Sequence, residues 1–277
     1  GASAMNGFAQ IALREIRIGF RNPWAYSFMA LFALFMLTLL LINAQGQVQG
    51  YSSVTATMVN LALYFLPLMT LMLGSFSLTG DKEDGSWELL STYPLGTPAY
   101  IAGKFAGLAV VLIVIVCFGF GVAGVAGWAA GSGFDTGAFF VFLLFSSGMS
   151  VMFLAVSMVI GTLARNRWQA LTVAVALWFF LVIAWAPVLI AVLGWMPYMW
   201  IKPAVTVLTM LNPAELARVF AVIHLGGGSV FGPEYYEWVK WARHPSGMWG
   251  FAVYPLIWTA LLSGLSGWLW ERGRTRV

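Results

Sequence analysis

The sequence predicts an all-α, polytopic membrane protein that crosses the bilayer as six helices, with both termini in the cytoplasm. Composition is the first observation, since 9% of the 277 residues are charged and 61% are hydrophobic, whereas about 25% of residues in soluble domains are charged. The second observation is six long apolar runs. The third is a one-sided distribution of lysine and arginine along the chain. Together they exclude a soluble enzyme, a disordered protein and a disulfide framework, and the single cysteine, Cys117, permits no internal disulfide.

Each apolar run is long enough to span a membrane, because about 20 helical residues cross roughly 30 Å of hydrocarbon. None of the runs has a charged residue in its interior. The predicted spans are residues 24–43, 56–79, 105–130, 137–163, 170–193 and 248–270. Residues 5–277 are therefore interpreted as one transmembrane domain, and residues 1–4, which precede Met5, as an expression scar.

Lysine and arginine determine the predicted orientation, because they are enriched on the cytoplasmic side of membrane proteins. An inner amino terminus places ten basic residues inside and four outside. The inner set is Arg14, Arg17, Arg21, Lys82, Lys104, Arg165, Arg167, Arg272, Arg274 and Arg276. The outer set is Lys202, Arg218, Lys240 and Arg243. The net charge of +4 follows from this asymmetry, and no arginine-rich patch with interleaved aromatics indicates a nucleic-acid partner.

Residues 5–23 predict an amphipathic helix on the cytoplasmic surface of the bilayer. Arg14, Arg17 and Arg21 recur at helical spacing. A second, apolar stripe consists of Phe8, Ile11, Ala12, Ile16 and Phe20. Such a helix lies along the interface with its basic side in the headgroups, and Asn22-Pro23 breaks the chain where the first span begins. The alternative is an ordinary solvated helix end before a span.

Residues 80–100 form the predicted inner loop and hold four of the ten acidic residues in the chain. The pattern predicts a short helix within this loop, capped by Asp84 or Ser86 and ended by Pro94. The candidate contact residues are Glu83, Asp84, Gly85, Ser86, Trp87, Glu88, Leu89 and Leu90. Apolar side chains beside acids favour a docking surface for another protein. The alternative is a solvated turn whose charges only maintain solubility.

The pattern Glu83-x-Gly85-Ser86-x-Glu88-x-Leu90, followed by Tyr93-Pro94 and Gly103-Lys104, resembles the first cytoplasmic loop of ABC-2 type transporter permeases. Six spans, a basic first helix and internal termini also match, so the resemblance covers essentially the whole chain and implies an ABC-2 (type V) exporter-like fold. It further implies that this loop carries a coupling helix for a separate ATPase and that the permease is a homodimer. Gly85 would permit the turn, while Trp87, Glu88 and Leu90 would make the contact. ATP and magnesium would be held by the ATPase, with no cofactor in this chain.

Residues 195–248 form the predicted outer, periplasmic segment. The pattern Leu211-Asn212-Pro213-x-Glu215-Leu216-x-Arg218-Val219, with Gly226-Gly227-Gly228-x-Val230-Phe231-Gly232-Pro233, resembles the permeases of Nos maturation transporters, which support assembly of the copper centres of nitrous oxide reductase. That resemblance implies a bacterial inner-membrane complex with a cytoplasmic ATPase dimer, a periplasmic β-helix subunit and a copper-chaperone lipoprotein. Asn212, Pro213, Glu215 and Arg218 are the candidate residues for a periplasmic contact or gate.

No catalytic, nucleotide-binding or metal site is predicted in this chain. The string from Gly96 to Phe105 has the wrong spacing for a phosphate-binding loop and lacks a hydroxyl after the lysine. His224 and His244 are twenty residues apart, without a cysteine or carboxylate cluster to complete a closed site. Met196 and Met199 could offer sulfur to Cu(I), but the surrounding tryptophan and tyrosine residues favour an interfacial aromatic belt.

The span interiors contain almost no ionisable residue, which argues against an ion-coupled carrier, and no ring of filter groups indicates a channel. Pro67 and Pro187 are candidate hinges. Small residues of the third run allow close helix packing: Gly119, Gly121, Gly124 and Gly127.

The alternatives to a Nos-type permease are an ABC-2 exporter of a lipid, drug or peptide, a membrane scaffold without an ATPase partner, and a membrane enzyme, for which no catalytic cluster is found.

Overall fold

The computed structural model describes residues 2–43, 53–86, 96–129, 136–227 and 236–274. In these ranges every regular element is helical. The helices are α1 (Ala2–Gly19), α2 (Pro23–Asn43), α3 (Ser53–Glu83), α4 (Thr97–Ala129), α5 (Thr136–Leu163), α6 (Arg167–Trp178), a π-helical segment (Phe179–Ala184), α7 (Trp185–Gly194), α8 (Tyr198–Leu211), α9 (Pro213–His224), α10 (Tyr236–Ala242) and α11 (Pro245–Arg274).

In the described part of the chain each predicted apolar run is helical, and the run of residues 170–193 extends over α6, the π-helical segment and α7. Five helices of this part are long and apolar enough to cross a membrane: α3, α4, α5, the continuous rod formed by α6 and α7, and α11. Two further pairs meet the same test but are bent, α1–α2 by 65° and α8–α9 by 105°, so the count is at most seven. The break between α1 and α2 occurs at Asn22, whose side chain accepts the Trp24 N–H at 3.0 Å, as the Asn22-Pro23 pair predicts.

The helix ends that the sequence assigns to the inner side lie together in the structure. Nζ of Lys82, in the last turn of α3, lies 2.8 Å from the carbonyl oxygen of Ala164, just after α5. The rings of Tyr100, at the start of α4, and Trp270, near the end of α11, are 5.5 Å apart. The helices therefore alternate in direction, with their predicted inner ends on one face of the bundle.

The hydrophobic core runs through α2, α3, α4 and α5. Phe32 of α2 stacks on Phe65 of α3, with ring centroids 5.8 Å apart, and meets Phe120 of α4 edge-on at 5.3 Å. Large apolar residues from three helices thus pack together, and such packing drives the association of helices in membranes.

Glycine allows α1 to lie directly on α4. A Cβ at Gly103 would come within 2.9 Å of the Ile11 side chain, and one at Gly107 within 2.6 Å of the Ala12 carbonyl oxygen. Such spacing, two glycines four residues apart, is typical of closely packed helix pairs in membranes. Of the glycines predicted to serve packing, Gly119 lies against the Phe32 ring, whereas a Cβ added at Gly121 would have nothing within 4 Å.

The α6–α7 rod leaves the bundle part of the way along its length. Trp178 donates to the Tyr64 carbonyl of α3 at 2.8 Å, but α7 has no buried residue. The π-helical segment lies between these two parts, and Pro187, which cannot donate to the carbonyl four residues before it, follows shortly after. The predicted hinge near Pro187 therefore coincides with irregular helix geometry, whereas Pro67 lies inside an unbroken α3.

Candidate functional site

The inner charge cluster is a group of four charged side chains, three of them buried and one partly exposed, where α1, α3 and α4 meet. It consists of Arg14, Glu15, Asp81 and Lys104. Nζ of Lys104 lies 2.8 Å from Oε1 of Glu15 and 2.9 Å from Oδ2 of Asp81. The side chain of Lys104 is 1% exposed and that of Glu15 is 2% exposed. Both charges are thus removed from solvent, so their pairing determines whether the site is stable.

Hydroxyl and guanidinium groups complete the bonding of the two carboxylates. Ser77 donates to Oε2 of Glu15 at 2.7 Å and accepts from Lys104 at 2.6 Å. Tyr100 donates to Oδ2 of Asp81 at 2.7 Å, and Arg14 to Oδ1 at 3.2 Å. Two cations thus face two anions, as the high cost of an unpaired buried charge requires.

Arg14 remains charged in this environment. Burial acts to lower its pKa, but the neighbouring carboxylates of Asp81 and Glu15 outweigh burial and raise the pKa above its ordinary value. The guanidinium is therefore a permanent cation at the edge of the cluster, partly in contact with solvent.

The inner charge cluster connects both helices that flank the predicted coupling segment. Asp81 is in the last turn of α3, and Lys104 is in the second turn of α4. The residues between α3 and α4 are therefore held at each end by an ion pair that also includes α1. Since α3 extends to Glu83 and α4 begins at Thr97, the interval predicted as an 80–100 loop is helical at both ends.

Lys82 caps the carboxyl end of α5. Its Nζ donates to three carbonyl oxygens, those of Gly161, Thr162 and Ala164, at 2.7–2.9 Å. The last carbonyls of a helix lack intrahelical donors and carry partial negative charge, so one ammonium group here satisfies several of them. The nitrogen also lies 5.0 Å from the centroid of the Trp270 ring.

The predicted contact residues begin directly after this site. Glu83 accepts the Arg167 backbone N–H at 2.7 Å and pairs with its guanidinium at 3.2 Å, and Asp84 lies 3.5 Å from the same guanidinium. Gly85 has φ of +66°, a left-handed conformation that glycine adopts without strain, as the predicted turn requires. Ser86 is helical. Trp87, Glu88, Leu89 and Leu90 lie outside the described residues.

Sequence reasoning missed the inner charge cluster because it counted Arg14 and Lys104 only as cytoplasmic cations. One signal could have indicated it: Glu15 is the only acid among the first 80 residues and lies beside a stripe of arginines. A lone acid on an amphipathic helix that joins a membrane bundle is more often paired than solvated. The partner could not be chosen from spacing, because Glu15 and Lys104 are 89 residues apart.

The outer candidate residues lie at the sharp bend between α8 and α9. Oδ1 of Asn212 accepts the Ala214 N–H at 3.0 Å, which caps α9, and its Nδ2 donates to the Leu181 carbonyl of the π-helical segment at 2.7 Å. Asn212, Pro213 and Glu215 are buried within the chain, whereas Arg218 is partly exposed and pairs with Glu215. Asn212 therefore joins the bend to the α6–α7 rod.

Two replacements of Asn212 distinguish how much each of its two side-chain hydrogen bonds contributes to stability. Asn212→Asp keeps the capping oxygen but loses the donor to Leu181, and we expect a loss of about 1–3 kcal/mol of stability. Asn212→Ala removes both bonds and should be at least as destabilising. Thermal unfolding in detergent measures the effect, and a wild-type Tm for Asn212→Asp would show that only the cap matters.

Among the described residues, no group of three or more histidine, cysteine, aspartate or glutamate side chains is arranged to hold a metal ion. Nδ1 of His224 lies 2.9 Å from the Phe220 carbonyl, and its ring packs against Phe220 and Phe251. Met196 and Met199 are exposed next to Trp195, which is 92% exposed.

Comparison with known proteins agrees with this architecture. Residues 9–272 match the sequence model of the family described as ABC-2 family transporter protein. The chain is 31% identical over 237 residues to a probable ABC transporter permease protein NosY of Stutzerimonas stutzeri, covering 82% of this chain and 86% of that protein. It is 33% identical over 226 residues to the protein of the same name from Pseudomonas aeruginosa, covering 78% and 81%. This chain belongs to the ABC-2 family of transporter proteins.

Proposed function

We propose that this permease transmits the energy of ATP hydrolysis, performed by a separate cytoplasmic ATPase, from its inner segment to its outer segment. The main observation that supports this proposal is the inner charge cluster. A segment that only reversed the chain would need no buried ion pairs at both of its ends, because such pairs add little stability over apolar packing. They do hold α1, α3 and α4 in one fixed arrangement, as a lever requires.

The proposed topology has six spans and cytoplasmic termini. The α1–α2 pair crosses the membrane once, with α1 along the inner surface and α2 as the span. The α8–α9 pair enters from the outer side and returns to it, since α7 ends and α11 begins on that side of the bundle. The meeting of the inner ends of α3, α4, α5 and α11 around Lys82 and Tyr100 supports this arrangement.

In this proposal a movement of the ATPase displaces the residues that contact it, Trp87, Glu88, Leu89 and Leu90. The displacement reaches the bundle through the preceding residues, Gly85, Asp84 and Glu83. Asp81 and Lys82 lie in the adjoining turn and connect α3 to α1, α4 and α5. The rigid helices carry the displacement outward. There the Asn212–Leu181 hydrogen bond connects the bend between α8 and α9 to the rod, so that Asn212, Pro213, Glu215 and Arg218 act as an outer gate.

Two copies of the chain form the proposed transporter, each bound to one subunit of an ATPase dimer in which ATP and magnesium reside. The apolar surfaces of α7 and α11 are poorly covered within one chain, which supports their contact with lipid and with the second copy. A role in maturation of the copper sites of nitrous oxide reductase is the more specific part of this proposal. It is supported by the resemblance of residues 211–233 to permeases of Nos maturation transporters, together with the similarity to two permeases named NosY. A periplasmic β-helix subunit and a copper-chaperone lipoprotein then bind on the outer side of the bacterial inner membrane.

The second candidate function is export of a lipid, drug or peptide by an ABC-2 transporter, which family membership equally permits. An exporter shows ATP turnover stimulated by its substrate and needs no fixed periplasmic subunit. Gentle detergent purification from native cells, with mass spectrometry of every co-purifying chain, distinguishes the two. Recovery of an ATPase with a periplasmic repeat protein supports the maturation role, and recovery of the ATPase alone favours export.

The coupling assignment is tested by Trp87→Ala together with Glu88→Ala. Loss of a tryptophan anchor and a charged partner at an interface costs about 2 kcal/mol or more, so we expect roughly thirtyfold weaker association with the ATPase. Membrane insertion should be unchanged, because both residues lie outside the spans predicted from the sequence. The measurement is the amount of ATPase that co-purifies at equal permease expression.

The matched control removes the same two residue types from the outer side, as Trp195→Ala with Glu237→Ala. Both side chains are exposed, so this variant measures how far a general loss of surface contacts lowers the recovery of the ATPase. Normal ATPase recovery with the Trp87/Glu88 variant, or equal loss in both variants, would reject the coupling assignment.

A further inference from the structure

A cavity of about 980 Å³ opens at the inner face between α1, the start of α2, α3, α4 and α6. Its polar lining residues lie on α1, at the junction of α1 and α2, and at the inner ends of α3, α4 and α6. The apolar lining residues of α3, α4 and α6 lie one to three turns deeper in these helices, roughly 5–15 Å along each axis. The apolar wall includes Leu73, Phe76, Leu108, Val111 and Leu171. The cavity is therefore polar at its mouth and apolar within.

Three guanidinium groups line the mouth of this cavity. Arg14 is paired with Asp81, and Arg167 is paired with Glu83 and Asp84. Arg21 is exposed and forms no ion pair in the part of the chain that the structure describes. The acids of the cavity are thus already neutralised by other cations, so Arg21 is the group available to an incoming anion.

Two tryptophans place the mouth at the depth of the lipid headgroups. Trp24, at the start of α2, and Trp168, at the start of α6, line the cavity and are more than half exposed. Tryptophan is enriched where hydrocarbon meets water. Trp24 directly follows the break at which α1 meets the first span, and Trp168 lies across the same opening, so the cavity faces the inner leaflet.

We infer that this cavity binds one phospholipid of the inner leaflet, with its phosphate at Arg21 and an acyl chain along the wall formed by α3 and α4. A guanidinium binds phosphate oxygens through paired charge-assisted hydrogen bonds. Free phosphate would gain the same bonds but would leave the apolar wall in contact with water, which favours the lipid. The lipid would secure the junction between α1 and α2. This inference does not depend on the ATPase coupling, since it rests on the lining of the cavity and on the proposed orientation of the helices.

Native mass spectrometry of the full chain, purified in mild detergent with added phosphatidylglycerol or phosphatidylethanolamine, tests the site. We expect retained lipid on the wild type and about tenfold less on Arg21→Glu, because a charge-assisted contact is replaced by repulsion. Arg17→Glu is the matched control, since it makes the same charge change on the exposed face of α1 outside the cavity. Equal lipid loss in both variants would overturn the inference.

A photoreactive phospholipid added to the wild type gives a measurement that does not depend on the folding of a variant. Crosslinks should map to the α1–α2 junction and to the start of α6, and an excess of inorganic phosphate should not remove them. Crosslinks spread evenly over the spans would show ordinary annular lipid. Displacement by inorganic phosphate would show a site for free anions. Either result would reject the phospholipid site.

Discussion

Lys104→Met should be the most destabilising single replacement of a charged residue in the permease. Methionine fills a similar volume but leaves both carboxylates to share Arg14, which lies 3.6 Å from Glu15 and 3.2 Å from Asp81 and is partly exposed. Removing one partner of a buried ion pair costs about 3–5 kcal/mol, which corresponds to a fall in Tm of roughly 10 °C for a chain of this size. Thermal unfolding of the purified protein in detergent measures the effect.

Two further variants determine whether the buried charge is the cause. Lys202→Met breaks an exposed pair with Glu237, in which the side chains are 64% and 61% exposed, and should cost less than about 1 kcal/mol. Adding Glu15→Gln to Lys104→Met removes one of the two carboxylates that would otherwise share Arg14, so the double variant should be more stable than Lys104→Met alone. Equal destabilisation by Lys202→Met, or no recovery in the double variant, would contradict the role of the cluster.

Gly107→Leu should detach α1 from the bundle. Its Cβ would lie 2.6 Å from the Ala12 carbonyl oxygen and 2.6 Å from Cβ of Glu15, so the whole helix must move. Overpacking of this kind costs about 1–3 kcal/mol, and the displacement also separates Glu15 from Lys104. We expect backbone amides of α1 to exchange with deuterium at least about tenfold faster, because local opening becomes easier.

Gly121→Leu is the control in the same helix, since an added Cβ at Gly121 has nothing within 4 Å. It adds the same apolar volume and should leave exchange in α1 unchanged. If both variants speed exchange in α1 equally, or if Gly107→Leu leaves it slow, the close α1–α4 contact does not hold α1 in place.

The helical runs could be predicted because each depends on local composition alone. Twenty uncharged apolar residues must form hydrogen bonds internally in a membrane, and a helix is the simple solution. The same reasoning places Asn22-Pro23 at a break and Gly85 at a turn, since both are local properties of the backbone. The ends of α3 and α4 could not be placed in this way, because Asp81 and Lys104 resemble loop residues unless their partners are known.

The candidate site depended on contacts between distant parts of the chain and could not be predicted in the same way. Glu15 appears on a helical projection as one polar residue among arginines, although its side chain is buried against Lys104. Asn212 is indicated by a motif, and its capping role follows from the Pro213 beside it. Its second bond to Leu181 depends on the position of the π-helical segment, which no hydrophobic periodicity indicates.

The π-helical segment also changes which way the second half of the rod faces. Ala170 and Ala174 are buried one turn apart in α6, and core packing continues only as far as Leu181 and Val182. A wide i→i+5 turn inserts one residue relative to an α-helix, so later side chains are rotated by about 100° around the axis. In an uninterrupted α-helix, the face that carries Ala170 and Ala174 would continue along α7. With the inserted residue that face is rotated away, and α7, which buries none of its side chains within the chain, leaves its apolar surface free to contact lipid or another apolar helix.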